Sequence, residues 1–80
     1  MTTIIGIKVA NREETSKTVQ EVLTEFGCKI KTRLGINDYK EGECTYQGII
    51  LIEIPDTLIA KELEKRLNII QNVTVKTMKF

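Results

Sequence analysis

Along most of this chain the apolar positions follow one of two periods, and a single stretch follows neither. Thr3 to Ala10, TIIGIKVA, sets Ile5, Ile7 and Val9 against Ile4, Gly6 and Lys8, the two-residue period of a strand. From Arg12 to Phe26 one side of the pattern carries Thr15, Val19, Val22, Leu23 and Phe26, spacings of three and four that predict an amphipathic helix. Asn11 stands at its N-cap position, Glu14 where a capping-box residue reaches back, and Gly27 where a helix stops. Cys28 to Ile36 alternates again, with Cys28, Ile30, Thr32 and Leu34 predicted inward and Lys29, Lys31 and Arg33 outward. Asp56 caps a second predicted helix, Thr57 to Ile70, whose apolar side is Ile59, Leu63, Leu67 and Ile70. Val73 to Lys79 closes the pattern, Val73, Val75 and Thr77 alternating with Thr74, Lys76 and Met78.

The exception is QGIILIEIPD, Gln47 to Asp56, where Ile49, Ile50, Leu51, Ile52 and Ile54 are interrupted by Glu53 before Pro55 ends the run. A strand with one wet face alternates; this one is apolar on both. The element order β-α-β-β-α-β predicts a ferredoxin-like α+β fold over residues 1–80 as one domain. Its antiparallel four-stranded sheet has the first and third strands in the centre and both helices on one face. That leaves the other face without cover from its own chain. Ile4, Ile49 and Leu51 are expected there, bordered by Lys29, Lys31, Arg33, Thr74 and Lys76 of the edge strands. A second copy of the chain is the simplest cover, as a homodimer or homotetramer with those three residues at the interface.

Charge adds an exclusion. Lys and Arg number 12 against 11 Asp and Glu, with no histidine. The formal net charge of +1 lacks the basic excess that binds nucleic acid through its phosphates, so no direct nucleic-acid partner is expected. No apolar run approaches the ~20 residues of a membrane span, and no signal-peptide pattern opens the chain. A soluble, cytoplasmic protein without a membrane partner is expected. Cys28 and Cys44 are separated by fifteen intervening residues and read as reduced thiols, Cys28 buried and Cys44 in a loop.

Side-chain chemistry narrows the classes further. A soft-metal chaperone needs paired thiolates, and VANREE after the first strand holds none; no metal and no cofactor are expected. An RNA-recognition sheet needs aromatics on its central strands, whereas Tyr39 and Tyr46 fall in the polar stretch Asn37 to Tyr46. An acylphosphatase-like enzyme would use Asn11 and Arg12, yet the glycine-rich backbone cradle is missing. Without histidine no serine–histidine–acid set assembles. A ligand-binding role falls to Arg33, which can pair bidentately with a carboxylate or phosphate, beside Gly35 and with the Asn11–Arg12 turn. Arg33 reads equally as an edge-strand charge that discourages unwanted pairing.

VANREE at the first helix, TRLGI in the second strand, GIILIEI in the third and VTVKTMKF at the end together resemble a family. It is the small ACT-like regulators of the iron-only hydrogenase system, whose members show Arg-Glu at the helix start, then Arg-x-Gly, then a closing Val-x-Val-Lys. The resemblance runs through nearly the whole chain in order and spacing. It implies an ACT-like ferredoxin fold, an oligomer and a regulatory role. The chain also resembles the C-terminal sensing domain of nickel-responsive regulators, but their histidine ligands have no counterpart here. Amino-acid-binding ACT domains carry an Asp-x-Pro-Gly turn where this chain has Asn11-Arg12-Glu13-Glu14, a departure from that ligand class. The expectation is a non-catalytic regulatory module, a homo-oligomer that binds a small-molecule effector or a protein partner. A small enzyme on a phosphorylated or acyl substrate, or an assembly subunit without ligand, are the alternatives.

Overall fold

The computed structural model describes residues 2–10, 13–37 and 48–80. Asn11, Arg12, Cys44 and all but the first residue of the predicted polar loop lie outside them. In chain order the elements are β1 (Thr3–Val9), α1 (Glu13–Glu25), β2 (Thr32–Asn37), β3 (Gly48–Ile54), α2 (Thr57–Asn68) and β4 (Val73–Lys79). The strands form one sheet in the order β2-β3-β1-β4, every neighbouring pair antiparallel. This is the ferredoxin-like α+β arrangement that the element order predicts.

The core lies between the sheet and both helices. Ile5, Ile7, Val9, Ile52 and Ile54 from the central strands meet Val19, Val22, Leu23 and Phe26 of the first helical segment. Ala60, Leu63 and Leu67 complete it from α2. The three-and-four spacing thus becomes two buried helix stripes against one buried sheet face. Arg66 ties the helices at the surface, 2.9 Å from Glu25 Oε2 and 5.8 Å over the Phe26 ring.

Local signals account for the helix and strand boundaries. Asp56 caps α2: its Oδ1 accepts the Leu58 N–H at 2.9 Å and the Ile59 N–H at 3.1 Å. Asp56→Ala leaves those donors without a protein acceptor and is expected to cost about 1 kcal/mol of stability, measured as a shift in urea midpoint. Asn72, at φ 67°, occupies the left-handed region that asparagine tolerates better than most residues. Its carbonyl accepts the Ala10 N–H at 3.0 Å, fastening the start of β4 to the end of β1.

The second strand departs from expectation. Gly27 does not take the left-handed conformation of a helix stop; the chain tightens instead into a 3-10 turn over Gly27–Lys29. Cys28 is therefore exposed on that turn rather than buried in a strand. Ile30 still packs against the core, but the chain bends at Lys31 before β2 begins. The bend reverses the alternation. Arg33 stands opposite buried Ile52, and Leu34 opposite Leu51, so Arg33 lies on the helix side and Leu34 on the open side. The expected placement of Arg33 on the open face, and of Leu34 in the core, is corrected by that one bend.

Candidate functional site

The sheet face turned away from the helices carries the most unusual surface. Register places its residues in three rows across β2, β3, β1 and β4. Thr32, Glu53, Ile4 and Met78 form the first row, and Leu34, Leu51, Gly6 and Lys76 the second. Ile49, Lys8 and Thr74 form the third, with β2 contributing Ile36 as the partner of Ile49. Leu34, Ile49 and Met78 are 53%, 40% and 56% exposed, while Ile4 and Leu51 are half-buried.

These five side chains make a diagonal apolar band from the β2–β3 corner to the β1–β4 corner. Gly6 interrupts it, and the Leu51 Cδ2 atom lies 3.6 Å from where a Cβ on that glycine would stand. A glycine within a strand marks a place where another surface can approach closely. The two remaining corners are polar and opposite in charge. Lys8, Thr74 and Lys76 occupy one; Thr32 and Glu53 occupy the other. Glu53 is held in place there, its Oε1 accepting the Thr32 hydroxyl at 2.9 Å and its Oε2 4.0 Å from Lys31 Nζ.

Ile4, Ile49 and Leu51 sit on this face, where the patterns of the first and third strands place them. Leu34 and Met78 are additions. Met78 was legible, since it alternates with Lys76 and Thr74; Leu34 was hidden by the reversed phase of β2.

The expected ligand residues do not join this band. Arg33 and Gly35 share the helix side of β2, where Arg33 Nη2 donates to Gln20 Oε1 of α1. A Cβ at Gly35 would meet nothing within 4 Å, so the space on that side of the glycine is open. Gly35 is near the sheet end at which Val9, Gly48 and Asn37 align, the end from which the chain leads to residues 11–12. Among the described residues, no three of Cys, Asp and Glu stand together as metal ligands, and no helix is long and apolar enough to cross a membrane.

The chain matches a family model described as "TM1266-like: Iron-only hydrogenase system regulator, putative" over residues 1–77. Among solved structures it is similar to the uncharacterized protein TM1266 from Thermotoga maritima, with a TM-score of 0.81 and 29% identity over 96% of this chain and 92% of that one. It is also similar to the de novo designed protein Foldit4, with a TM-score of 0.61 and 17% identity over 100% of this chain and 99% of that one. A third likeness is to a dimeric protein of unknown function and ferredoxin-like fold from Bacteroides fragilis, with a TM-score of 0.56 and 11% identity over 99% and 96% of the two chains. The last two likenesses are of fold. No curated protein matches the chain.

Proposed function

The chain belongs to the TM1266-like family of iron-only hydrogenase system regulators, and from that premise we propose that it is a non-catalytic regulatory module working as a homo-oligomer. One observation carries the reading: the apolar band crosses all four strands of a face that its own helices leave bare. Monomeric proteins seldom leave such a patch uncovered, and a second copy can bury it. The dimeric state of the ferredoxin-like protein from Bacteroides fragilis is in keeping with this.

The charged corners fix how two copies would meet. A two-fold axis lying in the contact plane along the band exchanges the corners that flank it. The Lys8 and Lys76 corner of one copy then faces the Glu53 corner of the other, and apolar side chains meet across the axis. Opposite charges at the rim set register and encounter rate more than affinity. Glu53→Lys and Lys76→Glu should each weaken association several-fold, and the double variant should restore it. Light scattering at tens of micromolar reads the result. A monomeric parent protein, or a double variant weaker than either single one, overturns the arrangement.

Regulation would act through linkage: an effector or partner that prefers one subunit arrangement shifts the population toward it. Arg33, Gly35 and the Asn11–Arg12 segment are the effector residues in this reading. A carboxylate or phosphate reaching Arg33 would replace the neutral Gln20 acceptor by a charged one, which makes the stronger hydrogen bond.

A further inference from the structure

On the opposite side of the sheet from the apolar band, α2 leans over β1 and β4 and leaves an open groove of about 250 Å³. Lys61, Lys65 and Lys79 border it, against the single carboxylate of Glu64. Ala60 and Thr77 also line it, and Thr57 stands at the α2 end. At its wall is Thr3, only 2% exposed, whose Oγ1 has no hydrogen-bond partner among the described residues.

Nothing among the described residues accounts for that hydroxyl. Thr3 continues the row of Ile5, Ile7 and Val9, where a valine of nearly the same shape would bury no unpaired polar atom. A buried, unsatisfied donor at the wall of a groove lined by three lysines points to a ligand that supplies acceptors and negative charge. We propose that this groove binds a small oxyanion-bearing metabolite, its carboxylate or phosphate held by Lys61, Lys65 and Lys79 while Thr3 donates to it. The volume falls below the ~300–1,000 Å³ of pockets for drug-sized ligands, so the ligand is an acid of few carbons rather than a nucleotide. Glu64 adds an acceptor for a hydroxyl or amine on the ligand. Because the Thr3 oxygen is shielded from solvent, the walls must part as the ligand enters, and the exposed lysines have the rotamer freedom to do so. The site is independent of association through the open face, since α2 lies on the other side of the sheet.

The test uses the full chain, isotopically labelled for amide NMR and titrated with sodium phosphate and separately with succinate, each against chloride at matched ionic strength. Saturating shifts confined to Thr3, Thr57, Ala60 and Thr77 and their neighbours are expected with at least one of the two, which identifies the headgroup. Thr3→Val should weaken that binding about tenfold, the worth of one hydrogen bond to a charged group, while its melting temperature holds or rises. Lys61→Ala and Lys65→Ala should weaken it by a similar factor. The proposal is overturned if neither anion produces confined, saturating shifts beyond those of chloride. It is equally overturned if Thr3→Val binds like the parent, or if it melts earlier and so reveals a structural role for the hydroxyl.

Discussion

Truncating Ile52 to alanine is expected to remove about 2–5 kcal/mol from the unfolding free energy, the cost of a cavity in a packed core. Ile52 is fully buried in a central strand, paired with Ile5 on one side and Arg33 on the other. The core it belongs to is small, and total stabilities of such domains run only to about 5–15 kcal/mol. The variant should therefore unfold at much lower urea with an unchanged m-value. Ile49→Ala, three residues away on the open face, removes a side chain that is 40% exposed in the single protomer. It should cost under about 1 kcal/mol when measured in the dissociated state. Equal losses at the two positions would show that the two faces of β3 are wrongly assigned.

Leu51→Lys should have the largest effect on assembly. Leu51 lies in the middle of the band, between Leu34 and Gly6 in register. A lysine there puts an unpaired cation at the centre of the proposed contact. Central, fully desolvated positions are where interface energy concentrates, and loss of about 2.7 kcal/mol corresponds to a hundredfold rise in dissociation constant. Sedimentation equilibrium should show that rise or more, with the protomer's own melting little altered. Leu58→Lys, on an α2 residue that is 76% exposed and far from the band, is the control and should leave assembly unchanged. If Leu51→Lys assembles as the parent does, the band is not the contact.

How far the fold could be read from residues depended on whether each alternation was unbroken. β1 and β4 begin and end within a residue of the predicted limits because Ile5, Ile7 and Val9, or Val73, Val75 and Thr77, alternate without a bend. The start of α2 was equally plain, since Asp56 follows a proline and precedes the apolar stripe. β2 departs from its alternation for a definite reason. Cys28, Ile30, Thr32 and Leu34 satisfy the two-residue period whether or not the chain turns among them, and residue parity carries no trace of the bend at Lys31. The bend takes Arg33 off the open face and puts Leu34 there, the band's contribution from the edge strand. The oxyanion groove was out of reach for another reason. The place of Thr3 beside Ile5 and Ile7 was readable, but the lack of a partner for its hydroxyl depends on packing between elements far apart in the chain.

The pairing of β1 with β4 has a consequence for how the molecule is made. Thr3 lies against Lys79, and Thr2 and Phe80 exchange backbone hydrogen bonds at 3.2 and 2.8 Å. A nascent chain therefore exposes one bare edge of β1, a template for mispairing with other chains, until synthesis has passed β4. Productive folding waits for that last strand, so a stalled or clipped product lacking it should be prone to clump rather than persist as a smaller working unit.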